Sequence, residues 1–458
     1  MSRFGRLTDA PASFRLTGVR VVDPGASDGP FGADAIRDLA VVDGRLADTA
    51  SAPADLTTVD GRGLVAAPGF CDLHTHLREP GAEGAETIES GARAAAKGGF
   101  TTVCAMPNTE PPPDEPARIA WVRARAAGAA CRVRVVAAAT RGRSGDALAD
   151  LGALAEAGAV AVSDDGAALP TAALARSALA YVRPLGMPLI EHAEEASLSD
   201  DTLMRAGANA TRLGLTGWPP SAELIVVQRD IALAEETGGR VHLTHLSTVS
   251  AVEAVRRAKE RGAPVSCDVT PHHLALSDAW VAGVRTFAWD ELPDDRPLDP
   301  ATAFDGACRV NPPLPSRGDA LALLRAVADG TVDAIATDHA PHPPERKLVP
   351  FGEAAPGMIG LETALSLGLA AVDAGCLTLP ALVAALSERP ARIIGEPRSL
   401  AGGMAADLCV FDPLASWRVE AGALASRSSN TPLIGMRLPG VVRLTVADGR
   451  ITWSDGLL

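Results

Sequence analysis

Paired cysteines are missing. Cys71, Cys104, Cys131, Cys267, Cys308, Cys376 and Cys409 are an odd set with no CxxC spacing, which excludes a disulfide-stapled secreted fold and reads as the reduced thiols of a cytoplasmic protein. No uninterrupted apolar run of about 18 residues occurs, so no membrane-spanning helix is expected. Residues 1–18 also lack the apolar core of a signal peptide. Basic residues are too few to favour a polyanion: 42 Lys+Arg against 56 Asp+Glu leave a net charge of −14, with no basic stripe. Nucleic acid and anionic membranes are therefore excluded as partners, and a small molecule is favoured. Apolar content is ample, at 47% of 458 residues, although aromatics reach only 3%. That rules out disorder and a collagen-like chain. Length suggests about three domains, or two if one is an α/β barrel of about 250 residues.

Both ends of the chain read as strands and hairpins. The segment 14–22 partly alternates, and Asp43-Gly44 sits as a turn between apolar flanks. Asp448-Gly449 repeats that pattern near the other end, where 406–411 adds a strand. Neither terminal segment can bury much core alone, so the two are expected to pair into one small β domain, 1–67 with 400–458. Between them, short β-rich runs alternate with Ala-rich stretches of helical period. Strands are expected at 69–73, 101–105, 133–138, 159–162, 188–190, 240–243, 264–269 and 332–336, and helices at 87–97, 117–127, 173–182, 222–236 and 249–261. Eight such units over 68–399 predict one closed (β/α)8 TIM-like barrel carrying a small β-sandwich built from both termini.

In such a barrel the reactive groups lie just past the C-terminal ends of the strands. The first run ends in Asp72-Leu-His74-Thr-His76-Leu-Arg78, where a two-residue period turns both imidazoles to one side, as two ligands of one metal require. The fourth ends in Ser163-Asp164-Asp165-Gly166, the fifth in Glu191-His192, the sixth in Thr244-His245 and the eighth in Thr337-Asp338-His339-Ala-Pro-His342. Four imidazoles, a bridging carboxylate and a final aspartate suffice for a two-metal hydrolytic site. Alone, His192 or His245 would more often be an ordinary hydrogen-bonded histidine, and Asp164 or Asp165 a helix cap. All nine histidines, however, fall at or beside expected strand ends, and none on an expected helix. Alternation sends His242 away from His245, His272 and His273 read as loop-orienting groups, and Cys71 and Cys104 read as small core residues.

The order of these blocks resembles the dihydroorotase family of the amidohydrolase superfamily. The resemblance rests on Pro68-Gly-Phe-Cys-Asp-Leu-His-Thr-His-Leu-Arg-Glu-Pro-Gly81, Met106-Pro-Asn-Thr109, Ser163-Asp-Asp-Gly166, His245-Leu-Ser-Thr248, Val269-Thr-Pro-His-His-Leu274, Asn311-Pro-Pro-Leu314 and Ala336-Thr-Asp-His-Ala-Pro-His342. It implies the bacterial monofunctional or aspartate-carbamoyltransferase-associated type. One zinc would be held by His74, His76 and Asp338, and a second by His192 and His245, with one or two ions per subunit and two expected. Asp165 would lie between them, where other superfamily members use a carboxylated lysine; Lys97, Lys259 and Lys347 are the only lysines and none sits at an expected strand end. Arg78, Asn108 and His342 would bind the substrate carboxylate, joined by Asn311, and Pro356 and Gly357 would offer backbone groups to the substrate ring. A guanidinium suits a carboxylate through two parallel charge-assisted bonds.

The implied reaction is the reversible closure of N-carbamoyl-L-aspartate to L-dihydroorotate in pyrimidine synthesis, with Asp338 as general base and then general acid. A homo-oligomer and association with aspartate carbamoyltransferase are both compatible with the resemblance. Two departures stand out. Leu314 is followed by Pro315-Ser-Arg317, which displaces a loop arginine, and Ala355-Pro-Gly357 precedes Gly360-Leu-Glu-Thr363. The proline-rich stretch 342–357 is a candidate lid. Other cyclic amidases, such as allantoinases and hydantoinases, generally carry the lysine bridge and lack an arginine two residues after the HxH pair. A catalytically dead scaffold would have lost ligands, and here the full set is present.

Overall fold

The computed structural model describes residues 10–26, 33–291 and 299–458. The signal-peptide reading of 1–18 falls partly outside them. Eight barrel strands are β1 (Phe70–Thr75), β2 (Phe100–Ala105), β3 (Arg132–Ala138), β4 (Ala159–Ser163), β5 (Leu189–His192), β6 (Val241–Thr244), β7 (Val265–Val269) and β8 (Ala334–Ile335). Each lies within two residues of its expected bounds. They pair in parallel and in sequence order. The seam between β1 and β8 is drawn together just above the last ladder, where Thr75 bridges His339 and the His76 N–H donates to the His339 carbonyl at 2.9 Å.

Helices wrap the outside where the Ala-rich periods placed them. They run Ile88–Lys97, Pro116–Arg125, Ala172–Leu185, Pro220–Thr237 and Val249–Glu260. Thr87, Thr171 and Thr248 cap three of them through their side chains. The barrel interior is filled from several strands by Cys71, Leu73, Cys104, Val136, Ala161, Ile190 and Ala334, so Cys71 and Cys104 serve as small core residues. Burial pushes the Cys71 thiol up to about 11. All seven thiols are free.

Strands from both chain ends share one sheet. Its continuous path runs Arg450–Ser454, Arg437–Ala447, Leu408–Arg418, Val65–Pro68, Phe14–Asp23, Ala33–Val42, Arg45–Ala47, with Thr58–Asp60 on Phe14–Asp23. It encloses its own cluster, including Phe14, Leu16, Val41, Leu46, Leu408, Val410 and Leu444. Both Asp-Gly turns have positive φ at both residues, 48° and 75° at Asp43-Gly44 and 49° and 74° at Asp448-Gly449, as tight hairpins require. The tips meet: a Cβ on Gly449 would fall 2.6 Å from the Gly44 carbonyl oxygen. The sheet joins the barrel through Phe411 against Phe70, 6.4 Å between ring centres, and Lys97, which pairs with Glu362 at 2.7 Å under Trp417 and Trp453. Among the described residues no helix is long and apolar enough to cross a membrane.

Candidate active site

The strand ends converge as the motif spacing required. His74 Nε2 lies 3.3 Å from His76 Nε2. Asp338 Oδ1 stands 2.9 Å from His76 Nε2 and 3.6 Å from His74 Nε2. On the other side His192 Nδ1 lies 2.9 Å from His245 Nε2, and each is 3.9 Å from Asp165 Oδ1. That oxygen is 3.2 Å from His74 Nε2 but off the hydrogen-bond line, and it is buried with no hydrogen-bond partner among the described residues. A buried carboxylate oxygen left unsatisfied is costly. Ringed by three imidazole nitrogens, it fits a site for divalent metal. His74, His76 and Asp338 form one compact ligand set and His74, Asp165 and His245 a second, overlapping one.

The second ring nitrogens are held from outside, which fixes the tautomers. His76 Nδ1 faces Asn108 Oδ1 at 2.8 Å, His74 Nδ1 faces Thr244 Oγ1 at 2.8 Å, and His192 Nε2 faces Glu194 Oε2 at 2.9 Å. Taking up the outer N–H in this way is the arrangement that would present the inward nitrogen's lone pair to a metal. Burial would raise the Asp165 carboxyl, but the His74, His76 and His192 imidazoles outweigh it and hold it well below the usual carboxylate range. Burial would likewise lower His74, yet Asp165 and Asp338 raise it to about 9. The carboxylates thus draw positive charge into the cluster, and His245, pressed by burial and by its imidazole neighbours, sits well below its ordinary value.

Three of these positions are bought with backbone strain. Arg78, His245 and Asp338 have φ of 60°, 42° and 45°, the left-handed region that non-glycine residues avoid. The same turn explains why alternation misplaced His242. His245 lies one residue past β6 and twists back, while His242 shares Asp268 Oδ2 with Thr244, at 2.8 Å and 3.0 Å. Asp268 also accepts the His245 N–H at 2.6 Å. His242 therefore belongs to the network beneath His74 and His245. His272 and His273 lie in a short helix, Pro271–Ala275, which corrects the expectation that no histidine is helical. His273 Nε2 holds the Pro312 carbonyl at 3.0 Å, as a loop-orienting group. Of the two adjacent aspartates, Asp164 braces the end of β3, accepting the Thr140 N–H at 3.0 Å, and Asp165 faces the cluster.

Arg78 is half-buried beside His76, its Nε donating to the Pro341 carbonyl at 3.2 Å and Nη2 lying 3.4 Å from His342 Nε2. It forms no ion pair among the described residues, which removes the ordinary surface-pair reading. His342 also faces the Pro356 carbonyl at 2.8 Å, and burial with the nearby Arg78 charge pushes its imidazole down to about 3. Asn311 Nδ2 donates to Glu194 Oε2 at 2.8 Å, and Gly357 spends its N–H on the Arg309 carbonyl at 2.9 Å. A cavity of about 560 Å³ opens beside the cluster, lined by Glu194, Thr202, Arg309, Asn311 and Pro356 among others. Arg317 turns away to the carbonyls of Ala288 and Asp290, both at 2.8 Å. The 342–357 stretch includes a helical turn, Pro344–Lys347, and Arg309 Nη1 anchors it through the Phe351 carbonyl at 3.1 Å.

Sequence reading missed Glu194, which accepts from Trp218 Nε1 at 2.9 Å besides His192 and Asn311. Its place two residues after His192 was the available signal. It also missed Asp72, whose Oδ1 accepts the N–H groups of His74 at 3.1 Å and Thr337 at 3.0 Å and so ties β1 to the end of β8. Asn430, from the C-terminal segment, accepts the His342 N–H at 3.0 Å and donates to the Ala340 and Gly357 carbonyls at 3.0 Å and 3.1 Å.

A family model described as dihydro-orotase-like matches residues 63–251. The dihydroorotase of Anaeromyxobacter dehalogenans (strain 2CP-1) is 47% identical over 445 residues, covering 96% of this chain and 98% of that one. The chain belongs to the dihydroorotase family. A second dihydroorotase, from Desulforapulum autotrophicum, is 42% identical over 447 residues, covering 96% of this chain and 99% of its own. Solved structures share the dihydroorotase fold. L-hydantoinase from Arthrobacter aurescens superposes with a TM-score of 0.81 at 24% identity, covering 97% of this chain and 96% of that one. Dihydropyrimidinase from Brevibacillus agri NCHU1002 gives 0.78 at 19%, covering 97% and 95%. At those identities the likeness is one of fold.

Proposed function

We propose that this chain is a zinc-dependent dihydroorotase that reversibly interconverts N-carbamoyl-L-aspartate and L-dihydroorotate in de novo pyrimidine synthesis. The observation that carries the substrate is Arg78, a half-buried guanidinium without an ion pair, beside a convergent His/Asp cluster. An anionic cyclic amide supplies the missing carboxylate through a bidentate pair. Full-length relatives carrying the dihydroorotase name support the same reading.

His74, His76 and Asp338 would hold one zinc and His192 and His245 the other, with Asp165 between them. Bound there, zinc supplies Lewis acidity at the scissile carbonyl and a nucleophile at neutral pH. Arg78 and Asn108 orient the carboxylate, and His342, neutral, offers a hydrogen bond without competing for charge. Asp338 engages His76 through Oδ1, and Oδ2 takes the proton of the attacking water and returns it to the leaving ring nitrogen. In the ring-closing direction the same atoms act in reverse. We place the catalytic unit at 68–399, the composite β unit at 1–67 with 400–458, and the enzyme in the cytoplasm; a homo-oligomer and an aspartate carbamoyltransferase complex are the partners to look for.

Side-by-side assays of dihydroorotate, hydantoin and allantoin, with metal analysis of the same preparation, test this. Turnover of dihydroorotate with one to two zinc ions per chain is expected. Turnover of hydantoin or allantoin and none of dihydroorotate would defeat it.

A further inference from the structure

Lys347 ends the short helix Pro344–Lys347 and is only 5% exposed. Its Nζ donates to three carbonyls, Ala355 at 2.7 Å, Gly357 at 2.9 Å and Arg309 at 3.1 Å. Three acceptors match the three N–H donors of an ammonium group. No carboxylate pairs with it among the described residues, and Asp305 acts on it only through space. Burying an unpaired charge is expensive, and methionine would fill the same space without that cost. Packing does not explain this residue.

The strip it holds, 355–357, bends at Pro356 and turns its carbonyls to two sides. The oxygens of Ala355 and Gly357 turn to Lys347, whereas Pro356 O turns the other way, to His342 Nε2 at 2.8 Å. The Arg309 oxygen that Lys347 grips also accepts the Gly357 N–H. Gly357 has a φ of 129°, and a Cβ there would fall 2.7 Å from the Ala340 Cβ and 3.1 Å from His342 Nε2. Lys347 thus stands behind the strip, and the cavity-lining Pro356, with the His342 ring on its carbonyl, stands in front.

We propose that Lys347 is a positioning residue for substrate binding: from behind, its ammonium group sets the backbone of 355–357, and with it the Pro356 carbonyl and the His342 ring, at the distance the bound ring needs. This rests on the proposed function, with the cyclic amide lying against Pro356 and His342 as the family resemblance implies. The facing groups are Cys308, Asp305, Arg309 and His342; burial pulls the amine down to about 7, Cys308 and Asp305 raise it, and Arg309 lowers it. A neutral amine keeps two N–H donors for three carbonyls, so the strip loosens as pH rises past that value.

The test compares wild type, Lys347→Met and Lys347→Gln by dihydroorotate kinetics at pH 6 to 9, bound-metal content and deuterium uptake by a peptide spanning 353–359. In Lys347→Met, KM should rise about 10-fold or more with kcat within about threefold and metal unchanged. Lys347→Gln should fall between, wild-type KM should climb above pH 7 while Lys347→Met stays flat, and extra deuterium uptake should be confined to 353–359. An unchanged KM in Lys347→Met, or a loss confined to kcat, overturns the proposal. Should Lys347→Met fail to fold, a flat wild-type KM from pH 6 to 9 overturns it. If dihydroorotate is no substrate, the functional reading fails on its own, and unchanged uptake at 353–359 still refutes the role of Lys347 in holding the strip.

Discussion

At the scale of single residues the proposed mechanism separates chemistry, at Asp338, from binding, at Arg78. Under the proposed mechanism Asp338 supplies both a cluster ligand atom and the proton carrier, so Asp338→Ala should abolish turnover; near wild-type kcat in the folded variant would remove its acid/base role. In the same proposal Arg78 holds the substrate carboxylate, and losing a charge-assisted pair costs about 1.5–3 kcal/mol, or roughly 10- to 150-fold in KM. Glu194 is testable through metal. Removing its charge from the His192 ring should weaken zinc about 10- to 100-fold, read by chelator competition on Glu194→Gln. Equal affinity would show that the Glu194 charge does not tune the His192 ring. The members of the convergent His/Asp cluster were legible because imidazoles and carboxylates recur at strand ends of one period. Glu194 and Asp268 were not, because each is defined by partners brought close in space: Asp268 meets His242 across 26 residues.

Elements were easier to read than their ends. Short β-rich runs and Ala-rich periods located all eight barrel strands, and Asp-Gly pairs located both hairpins. The failure of alternation at His245 marks the limit, since a period holds only while the strand lasts and β6 stops at Thr244. The His245-Leu-Ser-Thr248 block shows how an element is fixed beyond that point. Glu223 of the helix Pro220–Thr237 accepts the Ser247 and Thr248 N–H groups at 2.8 Å and 3.0 Å and both hydroxyls. Burial raises its carboxyl from 4.5 to about 7. An acid raised in the folded state favours folding most below its unfolded pKa and loses that contribution as pH rises through the folded one. Wild-type stability relative to Glu223→Gln should therefore fall between pH 4.5 and 7 in urea titrations. A constant difference would mean that the hydrogen bonds outweigh burial.

For the whole molecule, the two chain ends are more than a support. The C-terminal segment sends Ser426 and Asn430 back to the top of the barrel, where the Ser426 hydroxyl meets Glu86 and Asn430 clasps His342, Ala340 and Gly357. Pattern reading assigned this segment to the sheet because nothing local in it announces a contact across some 90 residues to the site. Asn430→Ala should raise KM about 3- to 10-fold with zinc content intact, the loss expected of one or two buried hydrogen bonds. Wild-type kinetics would show that the clasp is redundant with Lys347.

Arg78, His245 and Asp338 share the left-handed backbone that glycine alone adopts freely. Each costs the fold about 1–2 kcal/mol that glycine would return. A population screened for heat resistance alone would accordingly drift toward glycine at these three positions, shedding the guanidinium, an imidazole and the carboxylate together. Durability and chemistry thus pull apart at named sites, and any programme of hardening must hold those three fixed and search elsewhere.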